Sequence, residues 1–167
     1  AATRQEQRKL MASDASSSAQ FGFSVAASQT RAVIGAGFAD GGSVGSGAVY
    51  VFDLATGAEQ HKLIAADGMT SDFFGASVAV GAGKIVVGAP FEGTLGDNAG
   101  AVYVFDAATG ALLEKLLPRE AGAQQNFGIA VAAARDAIVD GAGATSDSGR
   151  VAVFDADTLE RRATYAA

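Results

Sequence analysis

One segment of the chain matches the pattern around a hydrolase nucleophile. Residues 41–45 read Gly-Gly-Ser-Val-Gly, which fits the G-x-S-x-G motif. That motif works where a strand turns sharply into a helix and exposes the serine hydroxyl, whereas Ser43 lies in a glycine-rich loop. The single histidine, His61, is the one candidate base, and it falls in a polar segment that reads as an edge strand. We therefore interpret the match as coincidental and predict that the chain is not an enzyme.

Polar side chains in the most variable loops could instead hold a ligand. Loops on a rigid scaffold are where binding residues tend to lie. Asp and Asn also stabilise tight turns without any ligand, so both interpretations stay open. The candidate ligand or interface positions are Asp40, Glu92, Asp97, Asn98 and Asp147.

Composition narrows the classes of function. The chain has 12 Lys and Arg against 18 Asp and Glu, a net charge of −6, and its basic residues are scattered. Nucleic-acid binding needs clustered cations, so we expect no nucleic-acid partner. The absence of cysteine excludes a disulfide framework and a thiolate zinc site. No apolar run approaches the roughly 20 residues that span a bilayer, and the first ten residues lack the apolar stretch of a signal peptide.

An internal repeat positions all of these side chains. A Phe-Gly pair recurs with a constant period of 53 residues, and a Val-x-Val-Phe-Asp segment follows it in each copy. In the third copy that segment comes 49 residues after its predecessor, because the preceding loop is four residues shorter. The Phe-Gly pairs lie at 21–22, 74–75 and 127–128, and the later segments at 49–53, 102–106 and 151–155.

Each copy contains four segments of strand length, separated by glycine or polar turns. In the second copy they cover about 75–80, 84–88, 101–105 and 112–117. The middle two are continuous apolar runs, which fit strands covered on both faces, and the fourth is polar, as an outer edge strand should be. These features predict an all-β fold of β-propeller blades, with three four-stranded antiparallel sheets. An immunoglobulin-like sandwich would not require the strict repeat, and an α-solenoid would require a 3.6-residue period.

The repeat also predicts how the chain is organised. We expect one repeat region over 1–167, with an extra N-terminal outer strand at Arg8–Met11 that belongs to a preceding blade. Most propellers have four to eight blades, so three blades should belong to a larger propeller or assemble with other copies or neighbouring blades of a longer chain. The predicted parts are 1–20 for the preceding outer strand, then 21–73, 74–126 and 127–167 for the three blades.

The recurring motifs carry a family resemblance. The repeated Phe-Gly, the Gly-Ala-Pro at 88–90 and the Gly-x-Val-Tyr-Val-Phe at 100–105 resemble the FG-GAP repeat, the blade of integrin α-subunit propellers and of many bacterial secreted proteins. The resemblance implies an extracellular or cell-surface location and a role in adhesion or protein binding. Some members of the family hold calcium in a blade loop.

The calcium loop of that family has no counterpart here. Calcium-binding members carry Asp-x-Asp-x-Asp-Gly-x-x-Asp between the first two strands, because Ca²⁺ needs six to eight oxygen ligands. The corresponding residues, 27–30, 81–83 and 133–136, cannot form it. The chain therefore resembles the calcium-free branch of the family. We expect no cofactor, and calcium is the cation that the resemblance would imply if one were bound.

Residues at repeated positions next to the strands are expected to be structural. An aspartate follows the third strand in every copy and should stabilise a turn, and the phenylalanine of each Phe-Gly pair should pack between blades. An acidic residue that precedes each Phe-Gly pair is expected to cap a turn. These sets are Asp53, Asp106 and Asp155; Phe21, Phe74 and Phe127; and Asp14, Asp67 and Glu120.

The third copy departs from the other two at two core positions. Asp140 replaces an apolar residue and Ala152 replaces a tyrosine. A terminal blade with one exposed face would tolerate both changes, as capping repeats do. We expect both residues on that exposed face.

Two hypotheses for function follow. The first is a non-catalytic extracellular or cell-surface interaction or structural module, built of FG-GAP blades within a larger propeller or self-assembly. The alternative is a metal-supported, lectin-like domain whose loop carboxylates bind a glycan or protein ligand.

Overall fold

The computed structural model describes residues 6, 8–119, 122–143 and 149–166. The described residues form three four-stranded antiparallel sheets, and in each sheet the strands lie side by side in chain order. The first sheet has β1 (Ser24–Ala27), β2 (Arg31–Ala36), β3 (Ala48–Asp53) and β4 (Glu59–Leu63); the second has β5 (Ser77–Gly81), β6 (Lys84–Ala89), β7 (Ala101–Asp106) and β8 (Leu112–Leu116); the third has β9 (Phe127–Ala133), β10 (Ala137–Ala142), β11 (Arg150–Asp155) and β12 (Arg161–Ala166).

The predicted all-β architecture of propeller blades is confirmed. Strands β3 and β7 are buried on both faces over their first five residues, because apolar surface of neighbouring segments covers each side. The outer strands β4, β8 and β12 keep polar, partly exposed faces. Among the described residues, no helix is long and apolar enough to cross a bilayer.

Tight turns connect the first two strands of each sheet. Ala82 and Gly83 join β5 to β6 with φ values of +49° and +71°, the left-handed pair that a type I′ hairpin turn requires. Such a turn places only two residues between the strands. It leaves no room for the nine-residue calcium loop, which agrees with the sequence at this position.

The Phe-Gly pairs form the joints between sheets, as predicted. Phe74 is fully buried, and its ring lies edge-on to Tyr103 and Phe105 at centroid distances of 5.3 and 5.9 Å. Its backbone N–H donates to the carbonyl of Ser46 in the first blade at 2.9 Å. Phe127 is likewise buried, between the second and third sheets. Phe21 is only half-buried.

A glycine in the second strand of each of the first two sheets lets the backbones of adjacent blades approach closely. A Cβ on Gly35 would lie 2.1 Å from the carbonyl oxygen of Gly75, and a Cβ on Gly88 would lie 1.9 Å from that of Gly128. The same two carbonyls accept hydrogen bonds from the preceding blade, from the Ser24 hydroxyl at 2.7 Å and the Ser77 hydroxyl at 2.8 Å. Each joint thus combines a buried ring, a glycine and a serine.

The aspartates after the third strands stabilise turns, as predicted. Asp53 Oδ1 accepts the backbone N–H of Thr56 at 2.7 Å, and Asp106 Oδ1 accepts that of Thr109 at the same distance. Asp155 binds the N–H of Thr158 at 2.8 Å. These hydrogen bonds stabilise the charged carboxylate and lower the pKa of each aspartate.

The extra N-terminal strand is absent from the structure. Residues 8–11 have no strand conformation. In the other blades the corresponding segment pairs with the third strand of its own blade, and no described residue provides that strand for residues 8–11. They still occupy the expected place: Arg8 donates to the carbonyl of Ala55 at 3.0 Å, just as His61 pairs with the carbonyl of Ala108 at 3.1 Å one repeat later.

The expected exposure of Asp140 and Ala152 is wrong. Both are buried, with exposed fractions of 0% and 3%, and Ala152 packs in the core between the second and third sheets. Alternation along a strand explains this, because Ile138, which shares a face with Asp140 two residues away, lies in the same core. The third blade therefore carries its departures on its covered face.

Candidate functional site

The two residues with apparent catalytic potential are both bonded to backbone. The Ser43 hydroxyl donates to the carbonyl of Gly68 at 3.2 Å, and its backbone N–H donates to the Ser46 hydroxyl. His61 lies on the outer strand β4 against the carbonyl of Ala108. Ser43 is followed by a turn, so the strand-to-helix elbow of hydrolases is not formed here.

The predicted loop residues are placed in different environments. Asp40 is exposed, and its Oδ1 accepts the N–H of Gly45 at 2.8 Å. Asp97 and Asn98 are exposed, and their backbone carbonyls accept N–H groups from the connection into the third blade. Glu92 is buried, with an exposed fraction of 5%. Asp147 lies outside the described residues.

A repeated Asp–Tyr–Lys tie was not anticipated from the sequence. Asp14 accepts the Tyr50 hydroxyl at 2.7 Å and the Lys62 ammonium at 2.6 Å. The prediction that this aspartate only caps a turn is wrong, because its carboxylate reaches the third and fourth strands of the following blade. The constant spacing of 36 and 48 residues from Asp14 to its two partners, repeated one period later, is the signal that could have revealed the tie.

In the second copy of the tie the lysine is more buried than in the first, whereas the two aspartates are about equally exposed. Asp67 accepts the Tyr103 hydroxyl at 2.9 Å and the Lys115 ammonium at 2.6 Å. Burial raises the pKa of Asp67, but hydrogen bonds from Lys115 and Tyr103 outweigh it and hold the pKa below its usual value. Burial and the hydrogen bond to Asp67 both raise the pKa of the Tyr103 hydroxyl. The tie is therefore an ionised aspartate between a neutral phenol and an ammonium group.

Two further carboxylates interact with Lys115, Glu92 by direct contact and Asp72 through its charge. Glu92 Oε1 lies 3.1 Å from the Lys115 ammonium and also accepts hydrogen bonds from the backbone N–H and hydroxyl of Thr94. Glu92 Oε2 is buried and has no hydrogen-bond partner among the described residues. Asp72 is buried as well, and desolvation raises its pKa, with the charge of Glu92 adding to the effect. Three carboxylates thus gather near one ammonium.

Replacing the lysine of each tie should show that the second tie contributes more to the stability of the protein than the first. We expect Lys115→Met to destabilise the protein by about 3 kcal/mol, because it leaves the buried Glu92 without its cationic partner. The matched variant Lys62→Met leaves only the exposed Asp14 unpaired and should cost about 1 kcal/mol or less. Urea unfolding at neutral pH measures both changes. Equal losses would contradict the structure of the second tie.

A row of four phenylalanine rings crosses from the first blade to the second at the end that carries these loops. Successive rings lie edge to face, with centroid distances of 6.1, 4.4 and 5.0 Å. The rings at the two ends of the row are exposed, by 53% at Phe23 and 37% at Phe91. We call Phe23, Phe38, Phe73 and Phe91 the aromatic row. Phe38 lies close to Asp40 in sequence and Phe91 precedes Glu92, so candidate loop residues flank the row.

The carboxylates around Lys115 and the aromatic row differ in what they could bind. No group of three or more His, Asp or Glu residues in the described part of the chain is placed to hold a metal ion. The carboxylates around Lys115 already share its charge. The exposed rings of the aromatic row, by contrast, are free to stack on a partner.

Comparison with protein families identifies the repeat. A model described as "FG-GAP repeat" matches residues 5–52 and 58–105. No curated protein matches the chain.

The fold is shared by many solved structures, and two of them are described here. A europium-containing methanol dehydrogenase superposes with a TM-score of 0.59 at 17% identity, over 83% of this chain and 23% of the enzyme. Kuenenia stuttgartiensis hydrazine synthase superposes with a TM-score of 0.60 at 10% identity, over 86% of this chain and 36% of that protein. This chain therefore spans about a quarter to a third of the length of the structures it matches. At these identities the likeness shows the fold alone.

Proposed function

Because the chain belongs to the FG-GAP repeat family, we propose that it is a non-catalytic interaction or structural module that works outside the cell or at the cell surface. The observation that carries this proposal is the aromatic row. Large apolar patches on a protein surface mark contact sites, and the row connects two exposed rings, Phe23 and Phe91, through ring-to-ring contacts. A non-catalytic role also agrees with the hydrogen bonds that hold Ser43 and His61 to the backbone.

The aromatic row is not a requirement of the repeat. The positions of Phe23 and Phe73 are taken by other residues in the remaining copies: Ala76 and Ile129 in place of Phe23, and Gln20 and Asn126 in place of Phe73. The blades form with either kind of residue. Stability of the blade therefore does not explain why four rings gather in the first two copies, whereas contact with a ligand does.

Binding by the purified chain tests the proposal. We would immobilise the chain and measure its binding to arrays of glycans and of extracellular proteins. Phe23→Ala and Phe91→Ala should weaken binding at least tenfold, because aromatic anchors dominate such interfaces. The control Leu112→Ala removes an equally exposed side chain from the outer strand β8 and should leave binding unchanged. Equal binding by all three variants would contradict the proposed surface.

One observation favours the alternative, a metal-supported lectin-like domain. The buried Glu92 Oε2, which has no hydrogen-bond partner among the residues that the structure describes, is the kind of oxygen that a cation would satisfy. A cation bound to the folded state must stabilise it, so adding calcium should raise the melting temperature and chelation should lower it. A melting temperature that neither addition nor chelation changes would eliminate this alternative.

A further inference from the structure

The third blade lacks the Asp–Tyr–Lys tie of the other two. In the strand ladders Ala152 takes the place of the tyrosine, and Thr164, which pairs with Ala152, takes the place of the lysine. The acidic residue at the tie position, Glu120, lies outside the described residues. Two small side chains thus stand where two large ones fill the first and second blades, and a cleft opens beside them.

Arginine side chains line this cleft, although the basic residues are scattered along the sequence. Arg119 comes from the connection into the third blade, Arg150 from β11 and Arg161 from β12. Gln125 and Thr164 add an amide and a hydroxyl, and no lining residue in the described part of the chain is acidic. We call this place the arginine cleft. In a chain with a net charge of −6, it is a local concentration of positive charge.

Arg161 is held in a defined orientation. Its guanidinium lies 4.6 Å from the ring centroid of Phe154 and 5.6 Å from that of Phe127. Its Nη2 donates to the carbonyl of Leu117 at 2.7 Å. A guanidinium that is stacked on rings and bonded at one nitrogen loses little further freedom when it binds a ligand, so this group is preorganised.

The positive charge of the cleft has no anionic partner among the described residues. Among them, neither Arg119 nor Arg161 forms an ion pair, whereas Arg150 is not free. Asp140 acts on Arg161 through its charge, but burial raises the pKa of Asp140 to about 8 and keeps it protonated at neutral pH. Burial lowers the pKa of Arg161, and the charge of Arg119 adds to this. A half-buried cation without a counterion is destabilising, and an anion in the cleft would remove that penalty.

We propose that the arginine cleft binds an oxyanion, a phosphate or sulfate group, between Arg161 and Arg119. Guanidinium groups donate pairs of N–H bonds to such groups. The Thr164 hydroxyl accepts from Arg161 at 3.4 Å, so its own proton is available to the oxyanion. The free volume of the cleft is about 20 Å³, which is room for one oxygen atom. The group therefore inserts one oxygen and leaves the others at the mouth, where Arg119 is exposed.

Titration calorimetry with inorganic phosphate, at an ionic strength held constant with chloride, tests the proposal. The wild type should bind one phosphate per chain in preference to chloride. Arg161→Gln and Arg119→Gln should each weaken binding about tenfold, the effect of losing one charge-assisted hydrogen bond. Arg119 is exposed, so its variant should keep the melting temperature of the wild type even if Arg161→Gln disturbs packing. The control Arg135→Gln changes an exposed arginine in the β9–β10 turn, outside the cleft, and should bind as the wild type does.

Three results would overturn the proposal. The first is a wild type that binds phosphate no better than chloride. The second is equal affinity in the wild type and all three arginine variants, which would mean an adventitious ion only. The third is binding that occurs only in Glu120→Gln, because the chain would then fill the cleft with its own carboxylate.

The same measurement separates two sources of the oxyanion. Inorganic sulfate and a sulfated disaccharide carry the same group, so equal affinities indicate a free anion and tighter binding of the disaccharide indicates a glycan. The arginine cleft lies in the third blade, apart from the aromatic row, and goes beyond the interaction role of that row. Phe23→Ala and Phe91→Ala should leave phosphate binding unchanged, so either proposal can fail alone.

Discussion

Gly88→Ala is expected to prevent the chain from folding, or to destabilise it by more than about 3 kcal/mol. The added methyl would stand 1.9 Å from the backbone oxygen of Gly128, and a backbone atom inside a packed joint cannot move away as the tip of a side chain could. The methyl would also disturb the Ser77 hydroxyl, which lies 2.4 Å from the same point. Thermal and urea unfolding measure the loss.

The same substitution at Gly141 is the control. There the nearest described atom lies 3.6 Å away, which is an ordinary van der Waals distance, and alanine lowers the entropy of the unfolded chain. Gly141→Ala should therefore leave stability unchanged or raise it slightly. Similar losses at the two positions would mean that glycine is needed for the strand itself and not for the approach of a neighbouring blade.

Asp140→Val is expected to stabilise the protein by about 2 kcal/mol at pH 7, because it removes the cost of burying a carboxyl group, which exceeds the loss of the hydrogen bond from the Gly128 N–H. Burial raises the pKa of Asp140 to about 8, even though the N–H of Gly128 donates to its Oδ1 at 2.7 Å and the charge of Arg161 favours the ionised form. Its Oδ2 has no hydrogen-bond partner among the described residues. Valine is the residue at this position in the second copy, Val87, which is buried in the core between the first and second sheets.

The pH dependence of this effect has a definite sign. The folded state keeps the Asp140 proton up to about pH 8, whereas the unfolded chain releases it near its ordinary pKa of 3.8. The folded state thus binds more protons in this window, and the stability of the wild type falls as pH rises from about 4 to about 8. Asp140→Asn keeps the acceptor for Gly128 but cannot ionise, so its stability should lack this fall. A wild type and an Asn variant with parallel pH profiles would contradict a buried, protonated Asp140.

Much of the fold could be predicted because the same strand pattern occurs in each copy, so an interpretation of one copy can be checked against the others. Phe74 and Phe127 occur at the same place in successive copies, so a core role at one implies a core role at the other. The apolar runs of β6 and β7 indicated strands covered on both faces, and the polar β4 and β8 indicated outer strands. Periodicity of this kind reports which positions share an environment.

The side-chain contacts between blades were harder to predict. The tie from Asp14 to Tyr50 and Lys62 joins residues 36 and 48 positions apart, and only the stacking of blades brings them together. The face of Asp140 was misjudged because the sequence of the third copy shows a polar residue but not which side of β10 faces the second blade. The aromatic row was missed because its members occupy different places in the repeat.

Amide hydrogen exchange tests the central claim, that Phe-Gly joints hold the blades together, most directly. The N–H groups of Phe74 and Phe127 donate to carbonyls of the preceding blade, at Ser46 and Ala99, and both rings are buried. These two amides should exchange only when the blades separate, with protection close to that of global unfolding. The amide of the half-buried Phe21 should exchange much faster. Exchange of Phe74 and Phe127 as rapid as that of Phe21 would contradict the account.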